Sequence, residues 1–294
     1  MRLLIASVAV GLALAASPAL TAEIKAVASF SILGDMVQRI GGDRVAVTTI
    51  VGPNADTHVY EPTPADAAAV SGTQIFFVNG LGFEGWLDRL VGATGFKGPV
   101  ITSSDGVKTH TMDKDGQTVT DPHAWQSLSN GLLYVANIEK GLCAVDAAGC
   151  AIYEANAAAY SAEISALDAE VKAQIAAVPE AQRKVITTHD AFGYFGLEYG
   201  VKFLAPEGIS TDSEASAADV AKLIEQVRSE GVKALFIENM SDPRLVEQIA
   251  KETGANVGGA LYADALSRPD EGAPTYLDMF RHNVALLVPA LEGK

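Results

Sequence analysis

Three of the five histidines in this chain, His58, His123 and His189, recur at intervals of 65 and 66 residues, and Asp264 follows 75 residues later. Each stands where an expected strand or loop gives way to the next element. Three imidazoles and one carboxylate are a donor set for a tetrahedral zinc site. Residues of this kind converge when they leave the ends of successive α/β units that face one cleft. A single histidine at a strand end is more often a surface or hydrogen-bonded residue than a ligand. Three in comparable positions, with an aspartate, reverse that expectation. Asp264 is the weakest of the four, because an aspartate there would also serve as a helix cap or loop residue. The other two histidines, His110 and His282, fall in a loop and on an expected helix face. Glu61, Asp66, Asp121 and Asp190 read as caps, or as carboxylates that orient a ligand imidazole through its second nitrogen. Trp125 and Tyr60 read as walls of the site.

The elements that must hold these residues alternate. Ile24 to Ser29, Val45 to Val51, Ile75 to Val78 and Val100 to Thr102 read as strands, the second rich in β-branched residues. Helices are expected over Ile32 to Gly41, after Thr63-Pro64 as N-cap and first turn, and over Phe83 to Val91. Ser103 to Thr120 is polar and without periodicity, and reads as a flexible loop. Two helical passages follow, Leu128 to Leu142 and about Ala151 to Ala177. The second is free of glycine and proline, and its length suits a connector between lobes. Beyond it the alternation resumes. Strands are expected at Lys184 to Thr188, Val201 to Leu204, Ala234 to Glu238 and Val257 to Tyr262. Helices are expected at Phe192 to Tyr199, Glu214 to Glu230, Pro243 to Thr253 and Tyr276 to Leu291. The fold class is α/β: two parallel-sheet lobes joined by a long rigid backbone helix, with the metal site in the cleft between them. The expected division is 1–22 as an export signal, 23–148 as the first lobe, 149–179 as the linker helix and 180–294 as the second lobe.

The signal reading rests on Met1-Arg2, the apolar run Leu3 to Ala16, and the small residues that follow. Cleavage after Ala22 is favoured, with Ala19 a close second. A formal net charge of −15 argues against nucleic acid and anionic membrane as partners. The only cysteines, Cys143 and Cys150, are expected to form a local disulfide in an oxidising compartment. Gly80-Leu81-Gly82-Phe83-Glu84-Gly85 matches the dinucleotide fingerprint. Glu84 stands against that use, since it brings negative charge to where a pyrophosphate needs positive. A tight strand-to-helix turn, with its glycines there for geometry, is the favoured reading. A secreted zinc hydrolase would need an open coordination position, and neither His-Glu-x-x-His nor Gly-x-Ser-x-Gly occurs. The chain is not expected to be an enzyme.

Four stretches resemble the metal-ligand motifs of the metal-binding solute-binding proteins of bacterial ABC importers. They are His58-Val59-Tyr60-Glu61-Pro62-Thr63-Pro64-Ala65-Asp66, Asp121-Pro122-His123-Ala124-Trp125, Thr188-His189-Asp190-Ala191-Phe192-Gly193-Tyr194, and Leu261-Tyr262-Ala263-Asp264-Ala265-Leu266-Ser267. Asn79 to Trp86 is similar to a further family segment. Within the family the chain is most similar to the zinc-specific members of the ZnuA/TroA kind, of AztC type. The resemblance implies a periplasmic monomer that binds Zn2+ as cargo through His58, His123, His189 and Asp264. Its partners would be a cognate permease, through it the ATPase, and a periplasmic zinc chaperone. Manganese-binding members resemble this chain but place glutamate at the third ligand position. Zinc members often carry a histidine-rich loop before the second motif, whereas Ser103 to Thr120 holds only His110.

Overall fold

The computed structural model describes residues 24–114, 117–206, 208, 211, 216–232 and 234–293; the expected export signal lies outside them. Ile24–Phe30 forms β1, buried at every position but Lys25. Ser31–Gly41 (α1) follows at once and buries Ile32, Met36, Val37 and Ile40 along one stripe. Val45–Val51 is β2. Pro64–Ser71 is α2, opened by a capping box in which Asp66 N–H donates to Thr63 Oγ1 (3.3 Å) and Thr63 N–H to Asp66 Oδ2 (2.7 Å). Ile75–Val78 (β3) is wholly buried; Leu87–Thr94 (α3) and Val100–Thr102 (β4) follow. The four strands make one parallel sheet in the order β2-β1-β3-β4.

Two expectations change here. The third helix begins at Leu87 rather than Phe83, because residues 80–86 are spent on a turn that buries Phe83, Glu84 and Trp86. The stretch expected as a loop builds an antiparallel hairpin, β5 (Thr111–Lys114) with β6 (Gln117–Thr120), pairing Met112 with Val119. Its signal was present in Thr118-Val119-Thr120 and in an Asp115-Gly116 pair between the strands. The polar composition around it hid that signal.

Leu128–Val145 (α4) starts on the Ser127 hydroxyl, which accepts from Asn130 N–H. Cys150–Ala176 (α5) spans about 40 Å at the helical rise. Its buried residues, Tyr153, Ala157, Tyr160, Ile164, Leu167, Val171 and Ile175, form one stripe against α4 and α1. Cys143 and Cys150 are joined, closing the corner between α4 and α5.

The second lobe repeats the pattern with Lys184–Ile186 (β7), Gly193–Tyr199 (α6), Lys202–Leu204 (β8), Ala217–Glu230 (α7), Ala234–Glu238 (β9), Arg244–Thr253 (α8), Asn256–Leu261 (β10) and Tyr276–Glu292 (α9). Its strands are again all parallel, in the order β10-β9-β7-β8. The architecture is two α/β lobes with parallel sheets. One apolar core runs from β1 and β3 through α4, α5 and α9 to Phe192, Phe195 and Phe236. A second cluster, around Ile186, Leu235 and Ile249, lies beneath α7 and α8. Among the described residues no helix is long and apolar enough to cross a membrane.

Candidate metal centre

In a parallel sheet every strand ends at the same edge, and the gap opens where the strand order reverses. In the second sheet that point lies between β7 and β9. His189 stands three residues past the end of β7, Glu238 is the last residue of β9, and Asp264 stands three residues past β10. In the first lobe His58 follows β2 of the parallel sheet, and His123 follows β6 of the antiparallel hairpin. The two strand-end edges face each other, and the structure brings His58, His123, His189 and Asp264 together.

One donor atom from each of the four lies within 4.8 Å of the others. His58 Nε2 is 3.2 Å from His123 Nε2 and 3.3 Å from Asp264 Oδ2. His189 Nε2 is 3.0 Å from Asp264 Oδ2, and His123 Nε2 is 3.8 Å from Asp264 Oδ1. Donors at bonding distance from a tetrahedral ion stand roughly 3.4 Å apart, and the observed separations bracket that spacing. The His58 side chain is 5% exposed, and the other three are fully buried. Asp264 Oδ1, Asp264 Oδ2 and His189 Nε2 lack hydrogen-bond partners among the described residues. Buried polar atoms are ordinarily paired. A cation held among these donors would satisfy all three atoms.

The charges agree. Burial opposes ionisation of Asp264, but the His189 and His123 imidazoles hold its carboxyl well below the usual range. Burial also opposes a charge on His189, yet Glu238 and Asp264 on either side push its pKa well up. Burial lowers that of His58, and the neighbouring His123 and His189 add to it. A cluster with one carboxylate and three imidazoles at this spacing could hold a divalent cation once the rings are deprotonated.

Two carboxylates orient the rings from behind. Asp121 Oδ1 accepts from His123 Nδ1 (2.7 Å) and from His123 N–H (2.9 Å). Burial works against the charge on Asp121, but hydrogen bonds from His110 and His123 hold its pKa at about 2. The partner of His189 Nδ1 is Glu238, which also accepts the N–H of Thr188 (3.0 Å) and of His189 (3.1 Å). Asp190, read from the sequence as a cap or an orienting carboxylate, does not take that place. Its carboxyl is instead driven up to about 6 by burial and the charge of Asp121. The clue to Glu238 was a carboxylate closing the apolar strand Ala-Leu-Phe-Ile-Glu, at the edge where the cleft must lie. Asp66 caps α2 and accepts from the Tyr60 hydroxyl (2.9 Å), while Glu61 is exposed. Trp125 does wall the site: its ring packs on His123 and Phe83, and Nε1 donates to the Ala263 carbonyl (2.9 Å).

The glycine fingerprint is a turn around a buried carboxylate. Gly80, Leu81 and Gly82 all have positive φ. Glu84 accepts from Ser29 Oγ (2.6 Å), Asn79 N–H (2.6 Å) and Gly80 N–H (3.1 Å). Two backbone donors at the start of that turn are thus taken by the chain's own carboxylate. Sequence reasoning also missed how the His58 loop is anchored. Asn54 N–H donates to the Leu266 carbonyl (2.9 Å), and Asn54 Oδ1 accepts from Asn239 (2.8 Å). Asp56 accepts from His58 N–H (2.9 Å) and from the Thr211 hydroxyl (2.6 Å).

Known proteins share this fold. The family described as "Zinc-uptake complex component A periplasmic" matches residues 26–290. The manganese-binding lipoprotein MntA of Halalkalibacterium halodurans is 34% identical over 269 residues, covering 92% of this chain and 89% of the relative. The Mn-bound periplasmic metal-binding protein of Candidatus Liberibacter asiaticus superposes with a TM-score of 0.83 at 34% identity, over 92% of this chain and all of that one. The periplasmic zinc-binding protein TroA of Treponema pallidum superposes with a TM-score of 0.86 at 26% identity, over 91% of this chain and 99% of that one. Relatives of this kind are substrate-binding proteins rather than enzymes. The chain belongs to the ZnuA/TroA family of metal-binding substrate-binding proteins of ABC importers.

Proposed function

We propose that this protein captures Zn2+ in the periplasm and hands it to a cognate ABC permease, and through it to the ATPase, for high-affinity zinc import. His58, His123, His189 and Asp264 are the ligands. The observation that carries the reading is the set of buried donors, three imidazole nitrogens and a carboxylate, with orphaned atoms facing one point. Imidazole suits zinc, whereas carboxylate-rich sites favour the harder manganese ion. Residues 23–148 and 180–294 act as the two lobes, with 149–179 as the rigid connector. Each lobe supplies two ligands, so the metal is part of the lobe contact. Release then requires the permease, or a zinc chaperone acting in exchange, to disturb that contact. The export signal at 1–22 delivers the protein to the periplasm as a monomer.

Manganese is the second reading, and it has a specific support: several relatives carry manganese-binding names. Growth separates the two. A strain lacking this protein should fail in zinc-depleted medium and recover on added zinc, but not on added manganese. Recovery on manganese alone would sink the zinc reading.

A further inference from the structure

His110 is left over by the donor set, and it lies behind that set in a particular way. Asp121 is fully buried and has two oxygens. Oδ1 takes the Nδ1 of His123, and Oδ2 lies 2.9 Å from His110 Nε2. Neither His110 Nε2 nor Asp121 Oδ2 has another partner among the described residues, so each is the other's counterpart. Asp121 N–H also donates to the His110 carbonyl (3.1 Å), so the two backbones are tied as well.

The seat for this ring comes from the other lobe. The His110 ring packs on Tyr194 with centroids 4.4 Å apart, and the Tyr194 hydroxyl donates to the Asp121 carbonyl (3.0 Å). A Cβ on Gly193 would stand 2.4 Å from Asp121 Oδ2 and 2.8 Å from His110 Cε1. Only glycine leaves room for the pair. Gly193 and Tyr194 open α6, four and five residues beyond His189. The chain His123–Asp121–His110 therefore starts at a proposed ligand of the first lobe and ends on the second.

We propose that His110 is a positioning residue for the bound cation: through Asp121 it fixes the ring plane and tautomer of His123, and it does so only while α6 seats it. A carboxylate behind a ligand imidazole orients the ring and raises its basicity. A carboxylate whose second oxygen is unmatched in a buried site loses that fixed orientation. His110 fills that oxygen. When the lobes part, Tyr194 and Gly193 withdraw, His110 loses its seat, and His123 becomes a looser ligand. Separation of the lobes is thereby converted into release at a ligand that the separation does not touch directly.

The inference rests on the cation-carrier reading and is tested separately from it. The probe is zinc, loaded on the full mature chain and chased with an excess of chelator, with the release rate read directly. His110→Phe keeps the ring on Tyr194 and removes the nitrogens, whereas His110→Gln keeps an N–H for Asp121. His110→Phe is expected to release zinc roughly tenfold faster, the low end for residues acting behind a ligand, and His110→Gln to stay within about threefold of the parent. Gly193→Ala, which needs no change at His110, is expected to speed release as His110→Phe does, and it serves if His110→Phe does not fold. Cobalt-loaded His110→Phe should keep the visible bands of a four-coordinate site, showing that the ligand number is unchanged. Parent-like release by His110→Phe and Gly193→Ala, or equal release by His110→Gln and His110→Phe, overturns the inference. A parent that retains no zinc overturns the carrier reading instead.

Discussion

Glu238 holds His189 from behind: its carboxylate meets the ring at Nδ1 while Nε2 faces Asp264 at 3.0 Å. Glu238 is itself fixed by the N–H groups of Thr188 and His189. Replacing it with glutamine keeps the shape and one acceptor but removes the charge that favours a donating Nδ1–H. Glu238→Gln should lower zinc affinity by about 10–100-fold with all four donors present. Competition against a chelator of known strength measures it, and parent-like affinity would show that Glu238 is only packing.

The four donors should not be equal to four ordinary surface residues. His58→Ala, His123→Ala and His189→Ala should each weaken zinc by at least about 100-fold, more than loss of an orienting partner does. From the sequence, Asp264→Ala would be the mildest, since water can replace an oxygen ligand. Full burial and contacts with all three rings argue otherwise. Asp264→Asn should therefore cost as much as a histidine loss. Calorimetric titration of the four variants tests this; a set that binds like the parent would remove the site.

Asp35 supplies a pH dependence away from the metal. It lies half-buried on α1, and Oδ2 accepts the Tyr276 N–H that opens α9 (2.9 Å). Burial raises its pKa to about 6, against the pull of that hydrogen bond and of Arg39. The folded pKa lies above the unfolded one, so the folded state binds more protons. The contribution of Asp35 to stability is thus fullest below about pH 4 and is lost as pH rises through about 6. Asp35→Asn keeps the acceptor and should stabilise the metal-free protein by roughly 1–3 kcal/mol at pH 7.5, with no gain at pH 4. Thermal melts at the two pH values check it; an equal gain at both would put the effect elsewhere.

The disulfide should matter to stability and not to metal. Cys143 and Cys150 close the α4–α5 corner, whereas the His123 segment leads into the opposite end of α4, about 22 Å away along the helix. Chain-entropy reasoning for so short a loop gives roughly 2–3 kcal/mol. Cys143→Ser with Cys150→Ser should melt lower while zinc affinity stays unchanged. Mass spectrometry of the unreduced parent should find it two hydrogens lighter than the reduced form. A fall in affinity in the double variant would mean that α4 transmits strain to the site.

Much of this was legible in the sequence because parallel α/β folding sends every strand end to one edge. His58, His189 and Asp264 each follow such an end, so their chain positions implied convergence, whereas His123 follows the hairpin strand β6. Thr63-Pro64-Ala65-Asp66 spelled out its own capping box. Glu238 left only a faint clue, its place at the end of an apolar strand, since its partner lies 49 residues away and no local spacing links them. The anchoring of Asn54 on Leu266 and Asn239 hides for the same reason, across more than 180 residues. The hairpin β5–β6 carries its signal in few residues, with Val119 opposite Met112 inside a polar stretch, and that stretch read as a loop.

Metal choice tests the central claim most directly. Competition titrations of zinc against manganese, on the parent and on His189→Glu, compare three nitrogens and one carboxylate with two of each. The parent is expected to prefer zinc by orders of magnitude, and His189→Glu to lose zinc affinity more than manganese affinity, narrowing the gap. Equal preference in the parent, or an unchanged ratio in His189→Glu, would contradict a zinc carrier whose selectivity resides in the third imidazole.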